Sequence, residues 1–271
     1  MGKKYLVTKG WEGFCDRLQA LSWAVDLSMK FNRILYVDWT DRVWSRDGET
    51  FYTYFKFQDL EYIDSPKKLP KNATVWPKFW AKILNNPLDE YIYAIKDQVD
   101  LDLDGYHFED IWVHSGIGHR RWNFQTLSEK LRFNDQTKDQ ILQMCRNIDE
   151  SRPIIHLRGT DRMSGVKAQR WDELLTVDSP YIISDDANLA RDYVKANPSA
   201  EIVSKTLMKA SDGGHRTDAI PYKKHAMNMD LLKDFWLLSR AETAYGLVEE
   251  SLYWRMARMF HDFDGHKKVM E

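Results

Sequence analysis

Arg152-Pro153-Ile154-Ile155-His156-Leu157-Arg158-Gly159-Thr160-Asp161-Arg162 is the stretch whose reading decides the fold. Its apolar run is too short for a helix, and Pro153 suits only the first position of a strand, where no ladder N–H is required. The expectation is a buried β-strand that ends abruptly in charge. Alternation along a strand sends Ile154, His156 and Arg158 to one face and Ile155 and Leu157 to the other. In an open α/β sheet, ligands bind beyond the carboxyl ends of the strands, which is where Arg158, Thr160 and Asp161 would emerge. A guanidinium there offers a fork of donors suited to phosphate. Taken alone, His-x-Arg at a strand end reads equally well as a structural ion pair.

Working outward, the second half alternates strands and helices. Tyr181-Ile182-Ile183-Ser184-Asp185-Asp186 is a strand running into two carboxylates, the second of which can start a helix from Ala187 to Ala196. Ala200 to Ser204 is the next strand, Asp230 to Ser239 an amphipathic helix, Ala244 to Val248 a short strand and Glu249 to His261 a final helix. This order predicts a parallel, doubly wound domain. Toward the N-terminus, Tyr5-Leu6-Val7 is a strand, followed by Gly10-Trp11-Glu12-Gly13-Phe14-Cys15-Asp16-Arg17 and a helix with Leu18, Leu21, Val25 and Met29 on its apolar stripe. Arg33 to Trp39 completes a β-loop-helix-β unit. Such a glycine loop can bring backbone N–H groups up to an anion, or it can be a plain turn. Its spacing is neither the dinucleotide fingerprint nor a Walker sequence.

Between Thr40 and Glu150 the pattern is less regular, with aromatic residues Phe51, Tyr52, Tyr54, Phe55 and Phe57 and a basic pair at Arg120-Arg121. Asp100 to Gly105 resembles the start of a calcium loop, but Ile111 stands where the bidentate Glu would be, so an EF-hand is rejected. Lys138 to Ile148 has helical spacing, and a domain boundary is expected near Ser151. The proposed domains are therefore 1–150 and 151–271.

Composition narrows the function classes. The chain has 271 residues, 43% of them hydrophobic, enough for two ordinary domains or one large one. Its 39 basic and 41 acidic residues create no net field for nucleic acid or an anionic membrane. Two cysteines, Cys15 and Cys145, make neither a disulfide framework nor a zinc cluster. The first residues lack the apolar core of a signal peptide, and no apolar run reaches the ~18 residues of a membrane span, so a soluble cytoplasmic protein is expected. Aromatic residues are plentiful, which serves a core and also suits stacking on sugars.

Four segments, in order, resemble the inverting fucosyltransferase superfamily that includes the bacterial nodulation and core α1,6-fucosyltransferases and the protein O-fucosyltransferases. Gly13 to Leu18 with Arg33 to Trp39 resembles that group's Gly-x-Gly-[Asn/Asp]-Arg loop, helix and strand. His156 to Arg162 is similar to its first peptide motif, Tyr181 to Asp186 to its second, and Asp234 through Ser251 to Ala257 to its third.

The resemblance implies an α/β chain of GT-B type, with two Rossmann-like domains whose parallel sheets face a central cleft. It implies GDP-fucose as donor, bound mainly by the C-terminal domain, a glycan or other hydroxyl acceptor, inversion at the anomeric carbon, and no cofactor or metal. Arg158 would clamp the β-phosphate, His156 would lie against the nucleoside, Asp234 would accept from guanine and Ser251 would donate to a phosphate. Gly13 and Asp16 would approach the pyrophosphate or sugar, and Arg17, Asp185 and Arg255 go with the donor side. Arg158, Asp161 and Asp16 are the catalytic set. Three positions depart from the core α1,6 pattern: Gly159 stands where a second Arg is usual, and Arg162 and Val166 stand where a Lys and a Glu handle the acceptor. The general base is unassigned among Asp161, Asp185, Glu249 and Glu250.

Overall fold

Each half of the chain builds its own parallel sheet. The structure is a computed structural model that describes residues 2–10, 13–87, 108–114, 124–159, 167–208, 221–247 and 251–260, with backbone alone for 167–169. The chain divides into two units, Met1–Asn134 and Asp135–Glu271. Asp100 to Gly105, Arg120-Arg121, Thr160 to Val166, Glu249 and Glu250 lie outside the described residues.

In the first unit, β1 (Tyr5–Lys9), α1 (Phe14–Lys30) and β2 (Ile34–Asp38) form the expected βαβ unit. After β3 (Phe55–Phe57) come β4 (Val75–Trp76), β5 (Ile111–His114), α2 (Phe124–Lys130) and β6 (Leu131–Phe133). The main sheet runs β2-β1-β5-β4, all parallel, while β3 and β6 pair as an antiparallel ribbon. Helix α1 starts at Gly13, carries Asp16 in its first turn where the positive end of the helix favours it, and stops before Asn32, whose φ of 49° is left-handed. Leu18, Leu21, Ala24 and Val25 are fully buried, whereas Met29, expected on the same stripe, is 49% exposed in the last turn.

Of the aromatic residues read from sequence, Phe51, Tyr54, Phe55 and Phe57 are buried and Tyr52 is half-buried. Phe51 and Phe55 belong to a core in which Phe14, Trp39, Trp44 and Phe133 also pack ring against ring, at centroid distances of 4.9 to 6.4 Å. One charged pair sits inside it. The Arg17 guanidinium donates two 2.6 Å hydrogen bonds to Asp41, both residues being at most 1% exposed, and lies over the Trp39 and Trp44 rings. Gly10 has no room for a side chain because Trp39 and Arg17 occupy its Cβ position. A second buried cation, Lys9, holds Asp38 and the Leu84 and Asn86 carbonyls.

In the second unit, α3 (Asp135–Met144) precedes β7 (Ile154–Leu157), the strand that the opening stretch predicted. Then follow α4 (Lys167–Leu175), β8 (Tyr181–Ser184), α5 (Ala187–Ala196), β9 (Glu201–Ile202), α6 (Lys224–Arg240), β10 (Ala244–Gly246) and α7 (Leu252–Met259). The sheet order is β10-β7-β8-β9, all parallel, so β7 is central. Ile155 and Leu157 pack with Leu174 of α4 and Leu189 and Tyr193 of α5. His156, on the opposite face, packs on Tyr253 of α7, which in turn meets Phe235 of α6. Helix α6 starts six residues before the expected Asp230, because Met227 and Met229 extend its buried surface.

Among the described residues, no helix is long and apolar enough to cross a membrane. Asp41→Ala should lower unfolding free energy by about 3–5 kcal/mol in urea titration, since it strands the buried Arg17 charge. A loss below about 1 kcal/mol would show that Arg17 finds other solvation there.

Candidate functional site

The carboxyl end of the second sheet is assembled by side chains that bind backbone. Ser184 Oγ donates to the Leu157 carbonyl at 2.8 Å, joining the ends of β8 and β7. Asp185 Oδ1 accepts from the Gly159 N–H at 2.7 Å, which fixes the turn just after half-buried Arg158. Asp186 caps α5 by accepting from Asn188 N at 2.7 Å and Leu189 N at 2.9 Å, as its sequence position suggested. A Cβ on Gly159 would overlap Asp186. Asp186 is itself a buried cap that cannot swing away, so a second arginine has no room at 159.

His156 is 4% exposed, with no hydrogen-bond partner for Nδ1 among the described residues. Burial, reinforced by the Arg158 charge, pushes it down to about 3, so it is neutral at physiological pH. Its carbonyl accepts from Leu247 N at 3.0 Å, which ties the chain leaving β10 to β7.

Asp234 is 6% exposed, so it lies inside the unit rather than on a solvated face of α6. Ser204 Oγ donates to its Oδ2 at 2.6 Å, and Ser204 Oγ also accepts from Ser184 N at 3.0 Å. The network continues through Lys233, whose Nζ lies 3.0 Å from Asp234 Oδ1 and also binds Asp230 and the Val203 carbonyl. Asp230 accepts from Lys205 N at 2.7 Å and Thr206 N at 2.6 Å. Two carboxylates thus share one buried ammonium. Burial raises Asp234 to about 7 against the pull of Lys233, and the Asp230 charge adds to the rise.

Ser251 stands at the N-cap of α7 yet makes no side-chain capping bond. Its hydroxyl is 1% exposed and has no partner among the described residues, although a serine there ordinarily accepts from the first-turn amides. Three residues on, the Trp254 indole N–H is also buried without a partner among the described residues. Arg255 is exposed. An unsatisfied buried polar group costs about 1–3 kcal/mol, so two together at one helix start require an explanation.

In the first unit, Gly13 is the N-cap of α1, Asp16 is exposed in its first turn, and Arg17 points inward onto Asp41. Asp161 lies outside the described residues. The structure thus brings His156, Arg158, Gly159 and Asp185 together at adjacent strand ends. Asp234 is linked to them through Ser204 and Ser184. Sequence reasoning missed Lys233, Ser204 and Asp41; each partners a residue it did single out, but none carries a motif of its own.

No family sequence model matches the chain, and no characterised relative matches it by sequence alone. The two parallel α/β units are those of the GT-B fold, as solved structures show. The NodZ alpha-1,6-fucosyltransferase soaked with GDP-fucose superposes with a TM-score of 0.69 over 96% of this chain and 93% of that one, at 16% identity. The fucosyltransferase NodZ from Bradyrhizobium gives 0.68 over 96% and 94%, at 17% identity, and POFUT1 in complex with GDP gives 0.57 over 97% and 96%, at 13%. At these identities the likeness is one of fold, and it is the fold that the motifs implied.

The Asp234 carboxyl titrates near 7 in the folded chain and at its ordinary 3.8 when unfolded, so its contribution to stability is complete below pH 4 and is lost as pH rises to 7. His156 works in the opposite sense: held neutral, it contributes above its ordinary 6.5 and loses that contribution as pH falls toward 3. Denaturant titrations of Asp234→Asn and the wild type should show the variant gaining on the wild type between pH 4 and 7, by up to about 1.4 kcal/mol per unit, then running level. A difference independent of pH would mean that Asp234 ionises like an ordinary carboxylate.

Proposed function

We propose that this chain is an inverting glycosyltransferase that moves fucose from GDP-fucose to the hydroxyl of a glycan or similar acceptor, without a metal. The observation that carries the reading is the shared fold over 96% of the chain with a fucosyltransferase soaked with GDP-fucose, together with the motif residues gathered at one sheet end. In this reading Arg158 faces the β-phosphate, and the buried Ser251 hydroxyl donates to it. Charge accumulates on GDP as the glycosidic bond breaks, and preorganised donors stabilise that charge more than they stabilise the intact donor. The acceptor hydroxyl attacks the anomeric carbon opposite the leaving diphosphate, and a carboxylate takes its proton.

Asp185 is committed to the Gly159 amide, which argues for a positioning role. The base then falls to Asp161, Glu249 or Glu250, with Asp16 acting on the sugar. His156, being neutral, lies against the nucleoside, and Asp234 serves guanine from inside the Ser204 and Lys233 network. Gly13 and Arg255 belong to the same proposal, as does a cytoplasmic setting, whereas Arg17, buried on Asp41, supports the loop from inside its own unit. Other GDP-sugars and a binding-only protein are the competing outcomes.

The experiment is GDP release from GDP-fucose with candidate acceptors, in chelator, for the wild type and Arg158→Lys. The wild type should turn over in chelator, and the lysine variant should lose at least about 100-fold, because an ammonium cannot reproduce a bidentate guanidinium on phosphate. GDP binding without turnover would leave a binding protein. Activity that requires added manganese, or near-normal turnover in Arg158→Lys, would overturn the mechanism.

A further inference from the structure

The α7 start gathers side-chain donors that meet no acceptor among the described residues. Ser251 supplies a hydroxyl that is 99% removed from solvent and lacks a partner among the described residues. The first amides of α7 have no intrahelical acceptor, as at any helix start. Trp254 is the third residue of that first turn, on the same helix face as Ser251 at a spacing of three. Its indole nitrogen can only donate, and it too is buried without a partner among the described residues. The ring lies against Gly246, the last residue of β10, within 3.5 Å of where a Cβ would stand. That strand end is paired with His156, so the indole belongs to the same sheet terminus as the motif residues. Two buried orphan donors beside a helix N-terminus call for a ligand that only accepts, and a phosphate group is such a ligand.

We infer that the Trp254 indole N–H is a donor to the diphosphate of the bound nucleotide, acting beside Ser251. This rests on the GDP-sugar reading above and adds to it a residue that none of the motifs requires. It also accounts for a large aromatic residue at a place where packing alone would be served by an apolar ring with no polar atom.

Trp254→Phe keeps a ring and removes the N–H. Calorimetric titration should show GDP affinity falling by between about 10- and 100-fold, with guanosine affinity unchanged because it has no phosphate. The melting temperature of the nucleotide-free variant should hold or rise, since an unsatisfied donor has been removed. If Trp254→Phe does not fold, Trp254→Leu, which also lacks a donor, replaces it, and ¹⁵N-indole spectra of the wild type give a second readout. GDP should move one indole resonance downfield, the one absent from the variant's spectrum. Wild-type GDP binding with equal affinity in the variant, or equal losses for GDP and guanosine, would overturn this inference alone. Absence of GDP binding by the wild type would overturn the donor reading beneath it.

Discussion

The Gly159 amide bound by Asp185 is the contact on which the rest of the candidate site depends. A central strand must end somewhere, and its last backbone groups must find partners. Here the partners are side chains of the next strand: Ser184 takes the Leu157 carbonyl and Asp185 takes the Gly159 amide. The turn that results places Arg158 at the sheet end, and it closes only because Gly159 has no side chain to meet Asp186. One residue type at 159 thus sets both the position of the neighbouring arginine and the number of arginines that can be there.

Behind that turn, polar groups are buried in quantity and bound to one another. Ser184, Ser204, Asp234, Lys233 and Asp230 run from the strand ends into α6 and fasten the 203–206 segment. Buried charges of this kind add little net stability but are costly to leave unpaired, so they select one arrangement. The first unit uses the same device, with Arg17 on Asp41 and Lys9 on Asp38. Both units therefore carry rigid strand ends, which suits residues that must hold a ligand in a fixed geometry.

Much of this was legible in the sequence because it is local. Alternation over 154–157 placed Ile155 and Leu157 opposite His156, and the structure seats them on opposite faces of β7. Asp186 before an apolar-periodic stretch announced a cap. The illegible part is long-range. Nothing within a few residues of Lys233 or Lys9 tells that the Val203 or Leu84 carbonyl will hold it inside. Arg17 looked like a ligand-facing residue because its true partner, Asp41, is 24 positions away. The reason for Gly159 lies across the strand in Asp186, and Met29 escaped the core because periodicity does not reveal where a helix outruns its neighbours.

In the proposed function, the carboxyl end of the second sheet holds a nucleoside diphosphate. Hydrogen exchange of the whole chain with and without GDP tests it most directly, in chelator and at saturating nucleotide. Added protection is expected at 156–159 and at the α7 start, 251–254, with the amides of α3 unchanged. Saturation by GDP with no added protection in those two segments, or protection confined to the first unit, would contradict it.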